Sequence, residues 1–241
     1  MPKQLAVTAH YSDGSTEPVP SGAVFSSSQP GVLAVSAEGK LTPAGLGTSS
    51  VSAVYGGKTA PAVVYTVLPS STNPLAIGGD TYVDNILSDK AGTNFSTEPE
   101  MQIKRKSASR RNGYIKVTLP ASAQTVDSVQ LKLFVTSAQS GSDLQLTGIL
   151  NDGWNPAAVT ANDQPARSYS DMPLGIKTPL AGGGYVIFDV TEFYKNPQAA
   201  QDGVLSFRLS TNENDREARV AALEGTDPAK APVLLVTTIH P

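Results

Sequence analysis

The stretch MQIKRKSASRRNGYIKVTL, Met101 to Leu119, holds six of the eighteen lysines and arginines of a 241-residue chain and no acid, although the formal net charge is −3. Its alternation decides how it folds. Met101 and Ile103 on one side of the polar SASRRN, and Ile115, Val117 and Leu119 on the other, predict two paired strands with those side chains inward. The same period sends Gln102, Lys104 and Lys106 outward on the first strand, and Tyr114, Lys116 and Thr118 outward on the second. Arg105 has core parity, so it is expected at the strand end or against a buried carboxylate. Arg110 and Arg111 are expected in the connecting turn, where a run of charge is ordinary solvation.

The parity argument extends to later strands. In SVQLKLFV, Leu131, Leu133 and Val135 alternate with Gln130, Lys132 and Phe134, and in VLSFRLS, Phe207 and Leu209 alternate with Ser206 and Arg208. If these strands are neighbours, Lys104, Lys106, Tyr114, Lys116, Lys132, Phe134 and Arg208 line one trough. Its cations would pair with carboxylates of an acidic polymer and its rings would stack on sugar faces. Distant acids would not prevent this, because charges separated by more than about 8 Å are largely screened at physiological salt. The plainer alternative is that outward lysines merely solvate edge strands and block aggregation.

The rest of the chain is consistent with an all-β protein. A 39% hydrophobic content with 16% charged residues suits globular cores, and β-branched runs are broken at short intervals by Gly, Pro, Asn or Asp. Weak helical patterns occur only at Thr191 to Gln198 and Asn214 to Val220. No apolar window is long enough to span a membrane, and Met1 to Ala23 lacks the apolar centre of a signal peptide. The chain opens almost directly on strand-like sequence, which suggests an excerpt from a longer protein. Zero cysteines exclude disulfides and thiolate metal sites.

Two segments differ in texture. Residues 1–68 carry short strands with turns at Asp13-Gly14 and Gly56-Gly57, and in VSAVY and VVYTV the apolar residues alternate. The stretch PSSTNP then suggests a linker over residues 69–75. Residues 76–241 contain strand candidates at Thr81 to Asp84, Met101 to Lys106, Gly113 to Leu119, Ser128 to Thr136, Ser142 to Leu150, Gly184 to Val190, Val204 to Leu209 and Pro232 to Ile239. That is more than a seven-stranded sandwich holds and fits a jelly roll.

The first segment resembles a bacterial Ig-like domain of group 2, through YSDGSTEPV at Tyr11 to Val19, FSSSQPGVLAVSAEGKLTPAGLGTSSVSA at Phe25 to Ala53 and the closing APAVVYTV. Phe25 stands where that family often has Trp and keeps an aromatic core plug. The resemblance implies a sandwich used as a spacer or adhesive module. Its charges agree, with Lys3, Lys40 and Lys58 against Asp13, Glu17 and Glu38.

The second segment resembles the DNRLRE domain, whose relatives are classed as carbohydrate-binding modules of family 96. The likeness is carried by GDTYVDN, TNFSTEPEMQIKR, RNGYIKVTLP, VDSVQLKLFV, DGWNPAAVTANDQPA and ALEGTDPAKAPVLLVTT. Ala161 stands where the family usually has a second Trp, and Leu223 where it has Ser. The resemblance implies a jelly-roll module appended to secreted polysaccharide-degrading enzymes, notably lyases of uronic-acid polymers. It also places Asp80, Asp84 and Glu224 at terminal acidic positions where a jelly roll could hold a structural Ca²⁺. Trp154, the only tryptophan, is expected in the core rather than as a sugar platform.

Nothing in the sequence marks a catalytic centre. Its two histidines are His10 and His240, and no Ser/His/Asp set, HExxH or phosphate loop is present. A pI near 5.4 and the lack of any nucleic-acid fold argue against nucleic acid. The expectation is a monomeric, secreted or cell-surface bacterial fragment without enzymatic activity. It would carry a covalently linked catalytic domain to an acidic polysaccharide such as alginate. The alternative is a structural or adhesive surface module that binds no glycan.

Overall fold

The protein, described by a computed structural model over residues 3–19, 21–120, 125–168, 170–200 and 202–239, is built almost entirely of β-strands. His240 lies outside the described residues. The chain divides into two units whose boundary falls within the strands Ser70–Ala76 and Val233–Ile239: one extends to Ser71 and includes Ile239, and the other runs from Thr72 to Thr238 and takes most of both strands.

In the first unit the strands are β1 (Lys3–Gln4), β2 (Val7–His10), β3 (Thr16–Val19), β4 (Val24–Ser27), β5 (Leu33–Val35), β6 (Lys40–Pro43), β7 (Gly47–Tyr55), β8 (Lys58–Thr59) and β9 (Val63–Val67). They form a β1-β6-β5 sheet, a β4-β7-β8 sheet with β9 on β7, and a β2-β3 hairpin. Alternation in β7 buries Ser49, Val51 and Ala53. Val51 packs with Leu33 and Leu41, against Leu5, Val35, Tyr65 and Val67. Phe25 is half-buried, and Gly39, at φ 81°, sits so close that a Cβ there would lie 2.7 Å from the Phe25 ring.

The second unit contains β10 (Ser70–Ala76), β11 (Gly79–Asp84), β12 (Glu100–Lys106), β13 (Ser109–Thr118), β14 (Thr125–Ala138), β15 (Leu144–Ile149), β16 (Met172–Lys177), β17 (Gly184–Asp189), a helical turn α1 (Thr191–Tyr194), β18 (Val204–Ser210), β19 (Glu217–Ala221) and β20 (Val233–Ile239). These strands make one eleven-stranded sheet in the order β10-β20-β14-β19-β12-β13-β18-β15-β16, with β11 added on β13 and β17 on β14. The long strands change partner along their length. β13 pairs first with β12 and then with β18, and β14 first with β17 and then with β19. The sheet therefore curls into a sandwich around one core, in which Met101, Ile103, Ile115, Val117, Leu131, Leu133, Phe188, Phe193, Phe207 and Val220 are buried.

Three expectations are corrected here. The polar stretch read as a linker forms β10, which pairs with β20, and Thr72 and Thr237 share a hydroxyl contact of 2.8 Å. Residues 214–220, read as helical, contain β19, because Ala218 and Val220 are buried while Glu217 and Arg219 face outward. The turn after β12 is only two residues long: Lys106 pairs with Ser109 and Lys104 with Arg111, with Ser107 alone taking the left-handed conformation at φ 52°. Arg110 and Arg111 are thus strand residues rather than turn residues.

Candidate functional site

The outer face of β13 and β18 brings together three of the expected site residues. Tyr114 lies opposite Arg208 in register, and Lys116 opposite Ser206. That face is not an open trough, however, because residues 151–168 fold back over it. Asn94 anchors this cover by donating to the carbonyls of Pro156 and Val159, each at 2.8 Å. Trp154 is buried in a second small core with Val83, Tyr114, Ile149 and Val159, and its Nε1 donates to Ser206 Oγ at 3.2 Å.

Tyr114 is 1% exposed, edge-on to Trp154 at 5.7 Å, and its hydroxyl donates to Gln164 Oε1 at 2.9 Å. Burial pushes the phenol up to about 12, opposed by the charges of Arg208 and Arg167. Lys116 donates from Nζ to the Trp154 carbonyl at 2.5 Å and lies 5.2 Å from the indole centroid. Arg208 is 6% exposed and pairs with Asp171 at 3.2 Å. Period two identified the shared face of Tyr114, Lys116 and Arg208, but strand periodicity carries no information about a loop returning over it.

Of the remaining cations of the opening stretch, Lys104 and Arg111 are paired with acids from other strands. Lys104 lies 3.7 Å from Glu217, and Arg111 donates from Nε to Asp84 at 2.8 Å and from Nη1 to Gln102 at 2.7 Å. Arg219 joins the network through Glu217 at 2.9 Å and Glu100 at 3.4 Å. Arg105 sits at the strand end and donates to the carbonyls of Ser107 and Asn212. Lys106 is exposed beside the turn.

The three expected metal ligands do not gather. Asp84 is taken up by Arg111 and by the backbone N–H of Ile86 at 2.8 Å. Asp80 is buried and accepts from the N–H of Leu223 at 2.9 Å. Burial pushes its carboxyl up to about 7, against that hydrogen bond and with the charge of Glu224 adding to the rise. Among the described residues no three His, Asp or Glu side chains are arranged to hold a metal ion.

Lys132 and Phe134 meet elsewhere, on the outer face of β14 and β17. Phe134 is opposite Tyr185 in register and Lys132 is opposite Ile187. Tyr185 is 47% exposed and meets Phe134 edge-on, at 4.9 Å and 77°. The Lys132 ammonium lies 3.9 Å from the Tyr185 centroid, and that of Lys230 lies 5.0 Å from the Phe134 centroid. Lys230 ends the turn Pro228–Lys230, capped by Asp227, and Tyr185 is pinned to this turn by a 2.9 Å hydrogen bond from its hydroxyl to the Ala229 carbonyl.

The result is an aromatic pair fixed at the surface with an ammonium beside each ring. Such a surface can stack on the apolar face of a pyranose while its cations meet acidic substituents. Tyr185 was legible by the same parity argument, since Val186 and Phe188 in GYVIFD turn inward and Tyr185 and Ile187 turn outward. Lys230 gives no such signal, as it comes from a distant turn.

The family model described as carbohydrate-binding module family 96 matches residues 71–238. A search of curated proteins found no significant match.

Proposed function

The chain belongs, over residues 71–238, to carbohydrate-binding module family 96, and from that premise we propose that it binds an acidic polysaccharide, a uronic-acid polymer such as alginate, through the outer face of β14 and β17. The observation that carries this reading is the exposed Tyr185, set edge-on to Phe134 with Lys132 and Lys230 beside the rings. Ring faces stack on sugars of any charge, whereas ammonium groups favour those that carry a carboxylate. The module itself is non-catalytic, as its family is. Its role in this reading is to hold a covalently linked polysaccharide-degrading domain of a secreted protein near its substrate. The first unit, with its resemblance to a group 2 Ig-like domain, serves as a spacer.

Affinity electrophoresis in gels containing alginate, pectate or a neutral glucan tests the reading. The uronate polymers are expected to retard the protein, with retardation fading as salt is added, and the neutral glucan to leave it unaffected. Tyr185→Ala should weaken retention about tenfold, the loss expected for about 1.4 kcal/mol of stacking. Lys104→Ala, outside the platform, should change nothing. Equal migration in every gel would overturn the proposal and leave the structural or adhesive alternative.

A further inference from the structure

The covered face of β13 and β18 contains more positive charge than it uses. We propose that Arg208, Arg167 and Arg110 form a carboxylate-binding site there, separate from the Tyr185 platform and not resting on it. Arg208 is fixed by strand β18, buried to within 6% of full coverage, and donates from Nη1 to Asp171. Its Nε, also buried, has no hydrogen-bond partner among the described residues.

Asn112, 5% exposed and two residues before Tyr114 on the same face of β13, has an equally buried Oδ1 without a partner. An unused donor and an unused acceptor on adjacent strands are an uncommon arrangement in an interior, where nearly all polar groups are paired. Arg110 shares the parity of Asn112 and Tyr114 on β13, and Arg167 precedes Ser168, whose N–H donates to Asp171. Arg167 is held below its ordinary range first by partial burial, and then by the charges of Arg208 and Arg110. Asp171, the acid paired with Arg208, also accepts from the N–H of Ser168 at 3.2 Å.

The chemistry missing from this arrangement is that of a carboxylate. Its oxygens would accept from Arg208 Nε and from Arg167 in the bidentate geometry that guanidinium groups favour. A hydroxyl next to that carboxylate would donate to Asn112 Oδ1. A free small carboxylate supplies the first feature, and a uronate unit supplies both. No bond is made or broken, and the site acts by recognition alone.

Thermal melting of the full chain, at constant ionic strength with chloride as reference, distinguishes these ligands. Acetate, glucuronate and glucose are titrated separately. A saturable rise in melting temperature with acetate and glucuronate alike assigns the site to carboxylates in general. A rise with glucuronate alone assigns it to a uronate unit, and glucose should give none in either case. Arg167→Ala should move the half-saturation point about tenfold upward, and Arg208→Lys should abolish the effect. If Arg208→Lys does not fold, Arg167→Ala decides, because its side chain is exposed at the margin of the cover. Lys104→Ala, which belongs to neither site, should leave the half-saturation point unchanged. The proposal is overturned if neither acid differs from chloride or if Arg167→Ala titrates like the parent.

Discussion

Asp80 and Asp84 share one parity of β11 and differ in what surrounds them. Asp84 reaches the end of the sandwich, where Arg111 neutralises it at 2.8 Å. Asp80 lies farther in, with one backbone N–H as its hydrogen-bond donor and Glu224 nearby, so its carboxyl holds its proton up to about 7. The folded-state value is therefore above the unfolded one. The unfolded chain ionises near pH 4, while the folded chain stays protonated until about pH 7. This group's contribution to stability is complete below pH 4, is lost as pH rises to 7, and is absent above that. The difference is of order 4 kcal/mol for such a shift. Asp80→Asn, which keeps an oxygen for the Leu223 N–H, should raise the melting temperature at pH 8 and have little effect at pH 4. Parallel melting curves for the two proteins across that range would show that Asp80 is not the group responsible.

At the scale of the strands, packing depends on a few close approaches. Gly148 in β15 lies under the ring of Phe193 from α1, and a Cβ there would sit 2.5 Å from a ring carbon in the core. Gly148→Ala should destabilise the protein by about 1–3 kcal/mol, as overpacking of a filled interior does. Urea unfolding checks this, and an unchanged midpoint would mean that the helical turn moves aside freely. The elements with strict alternation were readable from the sequence. The Leu131-Leu133-Val135 and Phe207-Leu209 series placed β14 and β18 with the correct side chains inward. β19 was obscured by the polar NENDRE before it, and β10 by a composition that suits a linker equally well. The platform was half legible: Lys132 and Phe134 follow from parity, whereas their union with Tyr185 and Lys230 depends on which strand and which turn arrive beside β14. The covering of Tyr114 and Arg208 by residues 151–168 is a long-range event that no local period records.

At the scale of the whole molecule, every residue of the platform and of the arginine cluster belongs to the unit from Thr72 to Thr238. A fragment beginning at Ser70 should therefore bind polysaccharide as well as the full chain does. One beginning at Ala76 lacks nearly all of β10 and leaves the edge of β20 bare, so it should melt at a lower temperature than the Ser70 fragment. Equal melting of the two fragments would show that β10 adds nothing to the sandwich. Among the described residues no helix is long and apolar enough to cross a membrane. The central claim is that an acidic glycan lies on the outer face of β14 and β17. Aromatic ¹H–¹³C chemical shifts recorded while a uronate oligosaccharide is titrated into the protein test it most directly. The largest changes are expected at Tyr185 and Phe134, whereas shifts at other aromatic rings with Tyr185 silent would contradict the claim.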